Sequence, residues 1–586
     1  MNTQDDLLEY YRRELAYLRT QSADFAARYP KVAQRLALTG SESTDPHTER
    51  LIEAVGFLTA RVHRDLDREF PTVAAGLLDN LCPSLTQPVP AMTVVQMTLD
   101  PTQGKVTAGS RVPRATALQA VASSGETCRL RTTWDLTLWP LRLAGLRLED
   151  PRTLRLDIAC EGGADVAELE LDVLRLHLSG DLLTTMPLHE LLITGLERLE
   201  VVGGGGAVHR LGPSHLVEVG FNEGEEVLPQ PPHAHPAYGL LQEYFAFPRK
   251  FQFFDITGLR GRLGTGGGFS IRLVFNRSVR VLSLLTPEHI LLGCVPVVNL
   301  FSQISEPIRL DRRRYEYLLM PDLQRDVTTE VHSVVSVIAS DPQSDRPLRI
   351  PSVHAEPDPD ETDVADVFYT TRRETSLRKD VPGTDMFIGF VDRADVRTVT
   401  AEPVVFAHLL CTNRRLAEQL PPDTLLRGQG VPGSTRIRTL YQPSVQREPV
   451  MGSRAQWALV SLLRLNHRSL ADGTTGVHTL RQILMLFADD TARDQVQVRG
   501  IQRLQASPAT SRLGTDAWRG HCRGTDIALE FDPDAFVGTS PLLLASVLSR
   551  FFALYTAANS FVRLSVWQGG ERVMRWPAMS GRQCLI

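Results

Sequence analysis

One stretch constrains this chain more than any other: Asp45-Pro46-His47-Thr48-Glu49-Arg50-Leu51 and the run from there to Pro71. An aspartate ahead of a proline is a helix start, because the carboxylate accepts the free amide protons of the first turn. The proline sits where a missing N–H costs nothing. From there Leu51, Ala54, Val55, Leu58, Val62 and Leu66 recur at helical spacing, and Phe70-Pro71 is the expected stop. The opposite face carries Glu49, Arg50, Glu53, Arg61, Arg64, Asp65, Asp67 and Arg68. A helix divided in this way has to lie against something.

Upstream is a matching element. Thr3-Gln4-Asp5-Asp6 has capping-box spacing, after which Leu7, Tyr11, Leu15, Leu18 and Phe25 mark one face, flanked by Leu8, Tyr10 and Tyr17. Tyr29-Pro30 ends it, and a shorter helix is expected from Lys31 to Leu38. Such helices either pack on each other and on the body of the protein, or form an arm whose aromatic-rich face another subunit completes. In the second case Tyr10, Tyr11, Leu15, Tyr17 and Leu18 are the candidate partner-binding residues, since large apolar anchors dominate interface energies.

After Pro83 the period changes from helix to strand. Val95, Met97 and Leu99 alternate with Gln96 and Thr98, and Leu154 to Ile158 alternates likewise. Leu169 to Val173 continues into Leu174 to Leu178 with a one-residue slip that predicts a bulge. Arg129 to Thr133 leads into an expected strand that ends at Trp139-Pro140, and further strands are expected at Ile271 to Phe275, Val279 to Leu284, Cys294 to Phe301, Val331 to Ile338, Thr398 to Thr412 and Asn559 to Val566. Ala339 to Asp363 is rich in Asp, Pro and Ser and reads as an exposed loop. Near the end, Trp457 to Leu465, Thr479 to Ala488 and the run opened by Ser540-Pro541 have helical character. With 586 residues the chain exceeds one core. The expected fold is α+β and multidomain: an N-terminal helical arm (1–83), β-rich domains (84–240 and 241–400), mostly antiparallel, and a mixed α/β C-terminal domain (401–586).

The densest aromatic segment runs from Leu241 to Phe254 and includes Tyr244, Phe245, Phe247, Phe251, Phe253 and Phe254. No basic groove accompanies it, so packing in a core is a better account than base stacking. Net charge is -5, with both signs interspersed. Neither nucleic acid nor direct membrane insertion is expected, the latter because no run approaches the length of a bilayer span. The seven cysteines are scattered without a C-x-x-C pair, which fits a reducing compartment. The acidic Met-Asn-Thr-Gln-Asp-Asp opening is not the pattern of a secretory signal.

Reactive motifs are weak. Gly264-Thr265-Gly266-Gly267-Gly268 lacks the Lys and Ser/Thr of a phosphate loop and precedes a strand, so it is expected to be a hairpin loop. Asp358, Asp360, Glu361 and Asp363 lack EF-hand spacing and read as a solvated acidic loop. His233 and His235 have no evident third ligand. No catalytic, cofactor-binding or metal residue can be assigned, and no cofactor is expected.

The residue identities nevertheless carry a resemblance. Leu7-Leu8-Glu9-Tyr10-Tyr11-Arg12-Arg13-Glu14-Leu15 and Phe25 to Ala33 resemble the start of TssF (VasA/ImpG) proteins of the bacterial type VI secretion system. So do Asp45-Pro46-His47, Phe57 to Arg61, Phe70-Pro71 and Leu81-Cys82-Pro83. The resemblance continues through Leu241 to Phe254, Cys294 to Phe301, Cys411-Thr412-Asn413-Arg414, Asn559-Ser560-Phe561 and Trp576-Pro577. It implies a non-catalytic baseplate subunit, cytoplasmic and docked on the inner-membrane complex. Its implied partners are TssG, a second TssF copy, TssK, TssE and the VgrG hub. The alternative from the residues alone is a soluble multidomain β-rich enzyme or glycan-binding protein.

Overall fold

The computed structural model describes residues 3–581 apart from 36–37, 40–41, 44, 101, 103–106, 108, 232, 311–313, 341–346, 354–366, 377, 379–380, 393–403, 434, 464–472, 490 and 513–520. The acidic run 358–363 therefore lies outside the described residues. Contacts divide the chain into two compact units, Met1–Leu78 with Val450–Leu459, and Asp79–Pro449 with Val460–Ile586.

The first unit is helical. Helix α1 (Thr3–Arg28) is followed by α2 (Pro30–Arg35), a two-stranded ribbon (Leu38–Thr39 with Glu42–Ser43), and α3 (Pro46–Leu81). The expected helix from Lys31 to Leu38 stops early, because Leu38 is already in that ribbon. Asp45 caps α3 as anticipated, its carboxylate accepting from the His47 N–H and the Thr48 hydroxyl, both at 3.0 Å. Those bonds hold its carboxyl below the usual range. Phe70-Pro71 does not end α3. The helix continues to Leu81, since an internal proline removes one backbone bond while the run beyond it keeps helical spacing at Leu77, Leu78 and Leu81.

The second unit is built of sheets. A closed antiparallel barrel runs in the order Cys294–Val298, Met92–Leu99, Thr435–Thr439, Leu425–Gly428, Ala117–Val121 and Thr127–Thr132. Its strands come from three separated stretches of sequence. Alternation is clean in Thr127–Thr132, where Cys128 and Leu130 point inward with Val94, Leu118, Val297 and Ile437. A five-stranded sheet (Val208–Leu211, Leu196–Val202, Gly268–Phe275, Thr153–Cys160, Leu141–Asp150) shares one core with a four-stranded one (Leu216–Val219, Phe253–Ile256, Leu174–Leu178, Ile290–Leu291). A second pair of sheets closes over Val337, Val405, Leu409, Cys411 and Ile388.

The C-terminal region is mixed. Strands His521–Phe531 and Phe561–Gln568 are parallel, which requires a crossover, and the helix Pro541–Tyr555 supplies it. Ser540 caps that helix, its hydroxyl accepting from the Leu543 N–H at 3.1 Å. The fold is thus α+β: N-terminal helices, mostly antiparallel sheets, then mixed α/β elements.

Four further local expectations are corrected. Leu169 to Val173 is not a strand, although Leu169 and Leu171 are buried; the alternation reports burial, not a ladder. Arg280–Leu284 is a 3-10 helix rather than a strand. Gly264 to Gly268 is a loop joining two different sheets rather than a hairpin. The Gly203–Gly206 turn approaches this loop closely: a Cβ on Gly204 would lie 2.1 Å from the Thr265 carbonyl oxygen. Of the expected loop from Ala339 to Asp363, Ala339 and Ser340 still belong to the strand Glu330–Ser340, and Leu348–Ile350 forms another.

Among the described residues of this unit, His177, His189 and His332 are buried. Burial lowers their pKa values to about 3, about 4 and about 3. In the unfolded chain each takes up a proton below its ordinary pKa, so the stability that burial of the neutral ring permits is complete above that value and is lost as pH falls. Each should cost about 2 kcal/mol at pH 5 relative to pH 8. Chemical denaturation at pH 8, 6 and 5 checks this, and His189→Leu should flatten the acid limb by about one histidine's share.

Candidate partner-binding surface

The sequence-predicted residues lie on α1, and α3 decides how they are used. A Cβ placed on Gly56 would meet Leu18 Cδ1 at 3.6 Å, Tyr11 Cε2 at 3.8 Å and Leu15 Cδ1 at 3.9 Å. Glu14 pairs with His63 and Arg19 with Glu49, each at 2.7 Å. As α1 ascends, its partners on α3 descend, so the two helices form an antiparallel hairpin. Tyr11, Leu15 and Leu18 are half-buried in its seam. Tyr10 is half-buried on its flank, and Tyr17 is 60% exposed. Of the five, three are brought together and the two flanking tyrosines are not.

The seam uses the small-residue face of α3, where Gly56 and Ala60 are buried. That placement turns the apolar stripe about 140° away from α1 at ~100° per residue. Leu51 is 65% exposed, Val55 44%, Leu58 60%, Val62 56% and Leu66 48%, and the row goes on through Val73 and Leu77. These are the residues whose spacing demanded cover. The signal for them was in the sequence, but it marked an apolar face without saying which neighbour would fill it. In the helical unit Leu8, Phe25, Tyr29, Val32 and Trp457 are exposed as well.

A long exposed apolar row is rare on a free-standing surface and marks an interaction site. Covering it offers about 1 kcal/mol for each half-exposed leucine or valine. Its spacing of three and four suits an added helix.

The other conspicuous residues are structural. Tyr244, Phe245, Phe247, Phe251, Phe253 and Phe254 are all buried; they fill cores, which removes the main support for carbohydrate stacking. Within the same segment Glu243 accepts from the N–H groups of Val227 and Leu228 at 2.7 and 2.8 Å and pairs with the buried Lys250. In Cys411-Thr412-Asn413-Arg414, Asn413 and Asn299 bond reciprocally at 2.8 and 2.9 Å. Arg414, at φ 50°, donates to the carbonyls of Thr329 and Pro382. His235 caps the helix Pro236–Ala246. Among the described residues no cluster of three His, Cys, Asp or Glu could hold a metal ion, and no helix is long and apolar enough to cross a membrane.

Replacing Leu51, Leu58 and Leu66 together by Gln should leave the far-UV circular dichroism and melting temperature of the chain unchanged while lowering its self-association in light scattering. Loss of helix would mean that the chain itself covers the stripe. Gly56→Leu, by contrast, should overpack the seam and destabilise the hairpin by about 1–3 kcal/mol, seen as earlier helix melting.

The family described as "Type VI secretion system, TssF" matches residues 3–583. The "Type VI secretion system component TssF1" of Pseudomonas aeruginosa is 33% identical over 616 aligned residues, covering 98% of both chains. Among solved structures, a chain of the TssK-TssF-TssG baseplate subcomplex of a type VI secretion system superposes with a TM-score of 0.73 at 24% identity, over 90% of this chain and 98% of that one. A chain of "the baseplate complex from the type VI secretion system" gives 0.59 at 20% identity, over 99% and 100%.

Proposed function

This chain belongs to the TssF family of the type VI secretion system, and from that premise we propose that it is a non-catalytic wedge subunit of the baseplate. It assembles with TssG, a second copy of itself, TssK and TssE around the VgrG hub, and links the hub to the contractile sheath. It acts in the cytoplasm, on a baseplate docked at the inner-membrane complex, and needs no cofactor.

The observation that carries the reading is the uncovered row Leu51, Val55, Leu58, Val62 and Leu66 on α3. A related chain comes from a structure in which TssF is held with TssK and TssG, and a subunit held in that way needs apolar surface reserved for its neighbours. Tyr10 and Tyr17 extend the binding surface on the flank of α1. Tyr11, Leu15 and Leu18 act from the seam, where they set the angle at which the stripe is presented. The work is mechanical: the wedge transmits a rearrangement through large interfaces rather than through a reactive pocket.

Co-production tests this. The chain alone should aggregate, and with TssG it should elute as one monodisperse complex. Leu15→Asp with Leu18→Asp, and separately Leu51→Asp with Leu58→Asp, should each abolish co-elution. The β-sheet signal and the melting of the second unit should stay unchanged. A monodisperse free chain that ignores TssG would overturn the proposal.

A further inference from the structure

The four-stranded sheet of the second unit leaves part of one edge open. In the strand Leu174–Leu178 the Leu178 N–H donates to the Gln252 carbonyl at 2.9 Å. Even-numbered residues therefore bond toward Phe253–Ile256, and odd-numbered residues present their backbone groups to the other side. There His177 pairs with Leu291, and Ser179 donates to the His289 carbonyl at 2.9 Å. The neighbouring strand then departs. Gly293, at φ 67°, turns the chain into the barrel, where its carbonyl accepts from the Met97 N–H at 2.8 Å and Cys294 pairs with Gln96. The row beside Val173 and Arg175 is left vacant. Among the described residues, the backbone N–H and C=O groups of these two have no hydrogen-bond partner.

Val173 and Arg175 both line a groove of about 910 Å³. Its apolar lining includes Leu143, Val173, Leu291 and Leu292. Two pairs of its charged side chains are matched within the lining, Arg175 with Asp255 at 2.8 Å and Arg142 with Glu161 at 3.4 Å; Asp135 pairs with Arg111 outside it at 2.6 Å, and Asp100 and Arg436 bring one charge of each sign. Such walls ask for no net charge from an occupant, while the edge asks for a regularly spaced backbone. We propose that the groove takes an extended, uncharged segment of another protein as an added strand beside Leu174–Leu178. The segment is held by the free backbone groups of Val173 and Arg175, with apolar side chains at alternate positions toward the groove wall. Main-chain bonds then give affinity and the wall gives selectivity. The groove belongs wholly to the second unit and shares no residue with the α3 stripe, and its test does not depend on baseplate assembly.

The probe is an acetylated, amidated heptapeptide of alternating Thr and Val, fluorescently labelled and titrated by anisotropy against the full chain kept dispersed by Leu51→Gln, Leu58→Gln and Leu66→Gln, which lie outside the groove. Saturable binding is expected. N-methylation of alternate amides along one edge of the peptide should weaken it at least about tenfold, with the other edge nearly indifferent, as loss of directed hydrogen bonds requires. Val173→Pro removes one of the groove-facing N–H groups just ahead of the strand, and should weaken binding about tenfold at an unchanged melting temperature. Absence of saturable binding, or equal tolerance of methylation on both edges, overturns the proposal. If Val173→Pro fails to fold, the methylated peptides with Val173 in place decide it alone.

Discussion

Exclusion of water from apolar side chains organises both units of this protein, but in the helical unit it leaves a whole row along one helix uncovered. In the sheet unit every large aromatic of the Leu241–Phe254 segment is buried, and backbone ladders carry the polar groups. In the helical unit the closest approach is made by small residues. Gly56 and Ala60 let α1 come near enough for Tyr11, Leu15 and Leu18 to settle against α3. Because the seam takes that face, the larger Leu51–Leu77 row is left toward solvent. A fold free to cover the apolar row with α1 would gain more area. The arrangement seen spends the small-residue face internally and keeps the larger one for others.

Buried charge in the sheet unit follows a complementary logic. Lys250 and Glu243 are removed from water together, and Glu243 also takes two backbone N–H groups. Glu330 accepts from the Thr384 N–H and hydroxyl at 2.8 and 2.6 Å and from Gln446 at 2.7 Å. Removing one partner of such a set leaves an unpaired ion, which is far costlier than never having buried the pair. The Glu330 node joins stretches distant in sequence, so it specifies which elements meet more than it adds to net stability.

Much of the fold was legible because it is written in local period. The cap at Asp45-Pro46, the crossover helix opened by Ser540-Pro541 and the alternation of Met92–Leu99 each depend on residues within a few positions of one another. Where reading failed, the deciding partner was remote or the periodicity ambiguous. Leu169 and Leu171 are buried at alternate positions without a strand to pair with. Pro71 is tolerated because the helix continues beyond it. The barrel could not be read off, since its strands come from regions up to hundreds of residues apart, as the pairing of Arg438 with Gln96 illustrates.

The candidate surface shows the same division. Helical spacing identified the apolar rows on α1 and α3, but amphipathicity states only that a face must be covered, and two helices can satisfy one another in more than one rotation. The choice was made by Gly56 and Ala60, whose lack of bulk carries no hydrophobic signal and so is invisible to a search for apolar period. By contrast, the residue identities that carried the family resemblance include many at buried nodes: Asn413, Arg414, Glu243, Lys250 and Phe251. Those positions need one side chain in one geometry, whereas an interface stripe needs only apolar bulk at the right interval. Identity therefore points to the family through its internal scaffold, while the surface used for assembly is found only when the scaffold shows which faces it has left uncovered.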